Sequence, residues 1–95
     1  MKIDVLMEAV MKMPTSVNLE AHRVLTEKNK VQPLDEYERM VSAALADAVT
    51  VKEGIDDLLD EFFDDEGPYD QKTAETGEYP TYHDALLWAL AKKKG

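Results

Sequence analysis

The chain has no cysteine. That single absence removes disulfides, thiolate metal sites and cysteine nucleophiles together. Glycine occurs only at positions 54, 67, 77 and 95, and proline only at 14, 33, 68 and 80. Punctuation this sparse leaves long uninterrupted segments, which favours helices. Basic residues are also scarce, with 11 Lys plus Arg against 20 Asp plus Glu and a formal charge of −9. A chain so charged repels nucleic acid and anionic membrane and attracts basic partners or cations. No apolar run approaches the roughly 20 residues that a membrane span needs. Met1 to Met13 is apolar-rich, but Asp4, Glu8 and Lys12 interrupt it and no cleavage-site pattern follows. These readings predict no direct nucleic-acid binding, no membrane association and a cytoplasmic location.

What is present reads as one all-α domain spanning residues 1–95. Its hydrophobic content of 44% is ordinary for a globular chain. Ile3, Leu6, Val10 and Met13 recur at helical spacing until Pro14 stops them. From Val17 to Lys28, Val17, Ala21, Val24 and Leu25 keep the helical pattern, while the strand-like alternation of Val17, Leu19 and Ala21 fails after His22. The strongest segment begins at Pro33 and Asp35, with Asp35 as N-cap or first-turn acid. Tyr37, Val41, Ala44, Ala48, Val51, Ile55, Leu58 and Phe62 then alternate spacings of four and three, a heptad seam. Met40, Leu45, Leu59 and Phe63 widen it. The seam keeps its phase across Gly54, and two readings fit: one long helix over about 35–64, continuous or kinked at that glycine, or two helices broken there by a glycine C-cap. The unbroken phase favours the first. Residues 65–81 hold Gly67-Pro68, Gly77 and Tyr79-Pro80 and read as an exposed loop. Thr81 and Asp84 form a capping-box-like pair that opens a last helix. Its run Ala85-Leu86-Leu87-Trp88-Ala89-Leu90-Ala91 leaves no polar face, so neighbouring elements or a partner must cover it. The expected architecture is a small bundle of four to five helices built on the heptad helix.

The most distinctive feature is acidic. Glu53, Asp56, Asp57, Asp60, Glu61, Asp64, Asp65 and Glu66 fall within fourteen residues, with no basic residue between Glu53 and Asp70. On a continuous helix Glu53, Asp57, Asp60 and Asp64 make one row beside the seam. Like charges at this spacing lie about 5 to 6 Å apart and cost a few tenths of a kcal/mol per pair. The functional reading is a surface for a basic partner; the bland one is a solvated face that keeps the chain soluble.

Metal and catalytic readings fail on particular residues. With Gly67 at the sixth position of an EF-hand loop, position 1 would be Phe62 and position 12 Thr73, so the calcium motif is absent. Bundle-type di-metal centres need Glu three residues before His. Leu19 and Pro80 stand three before His22 and His83. Zinc sites need more His or Cys than the chain has. Ser16 and Ser42, the only serines, occupy no nucleophile elbow, and there is no glycine-rich phosphate loop. No enzyme activity, metal or cofactor is expected.

The stretch Gly54-Ile55-Asp56-Asp57-Leu58 resembles the acyl carrier proteins, which carry a phosphopantetheine arm on the serine of an Asp-Ser-Leu motif. Asp57 stands at the serine's place, so the arm has no attachment point and the resemblance does not extend to function. The colicin immunity proteins, small acidic helical inhibitors, are similar in composition only.

The sequence therefore predicts a non-enzymatic protein whose eight carboxylates, Glu53 to Glu66, meet a basic surface of a partner. The sharp version of this reading makes the basic partner a nucleic-acid-binding protein and the chain an inhibitor imitating phosphates, as phage proteins do against host nucleases. The alternative is an assembly protein that forms a homodimer or a hetero-oligomer through its heptad helix and its last helix. Trp88, Leu87 and Leu90 are the candidate interface residues.

Overall fold

In a computed structural model of the chain, residues 3–95 are described, apart from the side chain of Ile3. Ile3, the first apolar position of the N-terminal helical spacing, therefore lies outside the described side chains. All regular structure among these residues is helical, and no strand occurs. The order is α1 (Ile3–Lys12), α2 (Thr15–Val31), α3 (Glu36–Glu53), α4 (Asp56–Phe63), α5 (Pro68–Thr76) and α6 (Tyr82–Lys94). The chain divides into two compact units, Met1–Lys52 and Glu53–Gly95.

In the first unit, Leu6 and Val10 of α1 are buried with Ala44, Leu45 and Ala48 of α3, and Ala21 and Leu25 of α2 pack against them. Pro14 separates α1 from α2, and its carbonyl starts α2 by accepting from the backbone N–H groups of Val17 and Asn18, at 3.0 and 3.1 Å. Asp35 caps α3 as expected. Its Oδ1 accepts from the Glu38 N–H at 2.7 Å, and Glu38 Oε1 accepts from the Asp35 N–H at 3.2 Å, a reciprocal box with an acidic cap. Lys28 of α2 also pairs with Glu38.

Of the two readings of Gly54, the structure has two helices broken there and not one long helix. Gly54 adopts φ +63°, a left-handed conformation that ends α3. Ile55 follows, and α4 starts at Asp56. The seam kept its phase in sequence because two amphipathic helices happen to be joined by a linker that preserves the count. Its members do not form one buried stripe: Ala44, Ala48, Ile55 and Phe62 are buried, whereas Tyr37 and Val51 are 52% and 63% exposed.

In the second unit, α4 packs on both α5 and α6. Leu59 and Phe62 of α4 and Ala85, Leu86 and Ala89 of α6 are buried. The segment 65–81 is not a plain loop, because its middle forms α5. Pro68 occupies the first turn, where a missing N–H costs nothing. Gly77, at φ +76°, closes the helix by donating its N–H to the Thr73 carbonyl at 2.8 Å. Weak apolar periodicity hid this helix, and none of its residues is buried. With α5 present and α3 separated from α4, the described residues form six helices rather than four or five. Thr81 and Asp84 complete the expected capping box of α6.

Candidate functional site

The acidic segment is built from three local structures. Glu53 is the last residue of α3 and is half-buried. Asp56, Asp57, Asp60 and Glu61 lie on α4 and face solvent, while Leu59 and Phe62 on the same helix are buried. Asp56 and Asp57 occupy the first turn, where the helix dipole favours carboxylates. Asp64 is the C-cap of α4, in extended conformation, and Asp65 and Glu66 continue into the turn before α5. The single row Glu53–Asp57–Asp60–Asp64 is therefore absent. Gly54 breaks it at one end and the extended Asp64 at the other, leaving only the α4 members in helical register.

Exposure and pairing divide the eight carboxylates. Glu61 forms an ion pair with Lys92 of α6. Asp56, Asp57, Asp60, Asp64, Asp65 and Glu66 are exposed and make no ion pair among the described residues. Glu66 has an unusual backbone, at φ +64°. Its N–H donates to Asp70 Oδ2 at 3.1 Å and its carbonyl accepts from Gln71 Nε2 at 3.3 Å, so α5 holds the turn from its first residues.

The candidate interface residues of α6 differ in placement. Leu87 is 46% exposed, and Trp88 and Leu90 are half-buried. The Trp88 ring lies 5.4 Å from the Phe62 ring, and Lys92 Nζ lies 4.8 Å from the Trp88 ring centroid. Trp88 thus has a packing role on α4, and the covering that an all-apolar helix demands is only partial at Leu87.

An aromatic network is the feature that sequence reasoning missed. Every aromatic residue except Tyr37 belongs to it. Phe62 contacts Phe63 at 5.0 Å and Tyr69 at 6.4 Å between ring centroids. Phe63 contacts Tyr69 at 5.5 Å and stacks on Tyr82 at 6.1 Å. Tyr69 in turn stacks on Tyr79 at 6.0 Å, with ring planes 21° apart. The network runs from the end of α4 through α5 to the start of α6, beside the acidic turn at Asp64 to Glu66. A signal was available, since tyrosines at 69 and 79 are unusual in a loop without a role. Phe63, Tyr79 and Tyr82 remain exposed at 44%, 75% and 40%.

At the Tyr79 end is an open groove of about 400 Å³, lined among others by Lys72, Glu75, Glu78, Tyr79 and Asp84. Burial pushes the Asp84 carboxyl up, but the backbone and side-chain hydrogen bonds from Thr81 outweigh it, with His83 and Lys72 adding favourable charge. The net effect holds Asp84 below the ordinary carboxylate range. No group of three or more His, Asp or Glu is placed to hold a metal ion among the described residues. Nor is any helix among them long and apolar enough to cross a membrane. His22 is buried in α2, and His83 is half-buried in the first turn of α6.

Comparison with known protein families, with curated proteins and with solved structures finds no match to this chain.

Proposed function

We propose that the chain is a non-enzymatic binding protein whose acidic segment docks on a basic surface of another protein and inhibits it by standing in for nucleic-acid phosphates. One observation carries this reading. Asp56, Asp57, Asp60, Asp64, Asp65 and Glu66 are exposed and make no ion pair among the described residues. Carboxylates kept for solubility are commonly interspersed with lysine, which lowers their mutual repulsion; this segment holds none. Unpaired surface charge of one sign steers an oppositely charged partner and accelerates association. Occupation of the partner's nucleic-acid groove then excludes its substrate.

The test uses protein captured from a lysate on the immobilised chain. Capture should weaken steeply between low and high salt, duplex DNA should compete for the captured protein, and Asp57→Lys, Asp60→Lys and Asp64→Lys together should abolish it. Capture by the folded triple variant, or indifference to DNA, overturns the reading.

A second reading, assembly through α6, is supported by the exposure of Leu87 on an otherwise apolar helix. Sedimentation at several concentrations separates the two. Self-association lost in Leu87→Ser, with the acidic segment intact, favours assembly.

A further inference from the structure

The groove at the α5–α6 turn has a recognisable chemistry. Tyr79 presents one ring face to Tyr69 in a stacked arrangement, 6.0 Å between centroids, yet the residue is 75% exposed. Its second face therefore opens to solvent beside the groove. The left-handed turn at Gly77 places Glu78 and Tyr79 there, and Thr76 secures it by accepting from the Glu78 N–H at 3.2 Å. Glu75 and Glu78 line the groove and make no ion pair among the described residues. Asp84, by contrast, is occupied with Thr81. Against three carboxylates the groove sets one ammonium, that of Lys72, so its charge is negative.

An open aromatic face in a groove that Glu75 and Glu78 also line suits a guanidinium better than the ammonium of lysine. A guanidinium is flat enough to stack on a tyrosine and forks its N–H groups toward carboxylates, whereas an ammonium is a strongly hydrated point charge. We propose that this groove receives an arginine side chain of the basic partner, stacked on the open face of Tyr79 and hydrogen-bonded to Glu75 and Glu78. The proposal rests on the reading of the chain as a binder of a basic surface, and adds a preference for arginine over lysine. It also assigns that preference to residues outside the acidic segment of α4.

The experiment titrates the full chain with hexa-arginine and hexa-lysine peptides at about 0.1 M salt, following backbone amide shifts by NMR. Hexa-arginine should bind about three- to fivefold more tightly, with shifts at Glu75 and from Gly77 to Tyr79. Tyr79→Ala should erase the preference while leaving salt-dependent binding of both peptides. Glu75→Gln with Glu78→Gln provides a second route to the same loss without removing the ring. Equal affinity for the two peptides, or a preference that survives both variants, overturns the groove assignment and leaves the basic-partner reading standing. Arginine binding at the groove that persists undiminished in the Asp57, Asp60 and Asp64 reversal supports the groove and overturns the role of α4. Binding of neither peptide overturns both.

Discussion

The Lys52 ammonium donates a hydrogen bond to Oδ1 of Asn18, a side chain with 0% exposure. Asn18 in turn donates from Nδ2 to the Val10 carbonyl at 3.1 Å, and Lys52 also donates to the Met13 carbonyl at 2.7 Å. The reason lies in Pro14. In a continuing helix its N–H would bond to the Val10 carbonyl, but proline has none. Asn18 supplies the missing donor one turn later, and Lys52 of α3 satisfies the oxygen that Asn18 leaves over.

Replacing Asn18 by leucine of similar shape should therefore cost about 1 to 2 kcal/mol, because it leaves the buried Val10 carbonyl with the Met13 N–H alone and the Lys52 ammonium with the Met13 carbonyl alone. Lys52→Met should cost about 1 kcal/mol. Urea unfolding followed by circular dichroism measures both, and an unchanged midpoint for Asn18→Leu would show that the relay is not a stabilising element.

Backbone handedness gives a pair of opposite outcomes. Gly54 is at φ +63° with no heavy atom within 4 Å of where a Cβ would stand, so the cost of a side chain there is conformational, not steric crowding. Gly54→Ala should lose about 1 kcal/mol. D-alanine introduced by chemical synthesis fits that conformation and should be neutral or stabilising. Glu66, at φ +64°, is the converse case, and Glu66→Gly should gain several tenths of a kcal/mol. Thermal unfolding of the three variants checks the signs; a stable L-alanine variant would mean that α3 continues into α4.

Those two residues also mark where sequence reasoning stopped. Hydrophobic spacing revealed α1, α2, the start of α3 at Asp35 and the capping box of α6, because each depends on contacts within a few residues. Of the candidate carboxylates it placed on one helix, only Asp56, Asp57, Asp60 and Glu61 lie on the solvent face of α4, which Leu59 and Phe62 fix by their burial. It left the division of α3 from α4 as the less favoured of two readings, because periodicity records phase and not handedness, and Gly54 changes only the latter. It did not find α5, which buries none of its residues and so carries little apolar periodicity. The groove was invisible because Tyr79 meets Tyr69 only after the Gly77 turn.

Two capping boxes set the acid sensitivity of the fold. The Lys28 hydrogen bond, followed by that of the Asp35 backbone N–H, holds the Glu38 carboxyl below its ordinary range. Asp84 is held low in the balance described above. A carboxyl lowered in the folded state stabilises it above the unfolded pKa of about 4, and that contribution disappears as pH falls through the folded value. Asp84→Asn and Glu38→Gln should therefore reduce the melting temperature near neutral pH. Their deficits should close below about pH 4. A deficit independent of pH would assign the loss to packing instead.

Phe62 joins Phe63, Tyr69 and Trp88 and has 0% exposure. Phe62→Ala should cost about 3 to 4 kcal/mol through lost burial and the cavity left behind. The emission of Trp88, the only tryptophan, should shift to longer wavelength as its packed neighbour is removed. By comparison, Tyr79→Ala removes an exposed ring and should change the unfolding midpoint little. Equal losses at the two positions would contradict the placement of the network's core at Phe62.

Charge reversal along the acidic segment should not act uniformly. Asp57 lies in the first turn of α4, where the dipole favours an anion, and Asp64 is its C-cap, where the dipole favours a cation. Asp57→Lys should therefore destabilise the fold by about 0.5 kcal/mol, and Asp64→Lys should stabilise it by a few tenths. Relief of like-charge repulsion adds with the same sign in both, so the difference between the two variants isolates the dipole. Raising the salt to 1 M, where the screening length falls to about 3 Å, should bring the two together. Because the opposed effects largely cancel, the triple reversal at Asp57, Asp60 and Asp64 should keep the melting temperature of the unaltered chain within a few degrees. Loss of partner capture in that variant then reports on the surface and not on unfolding.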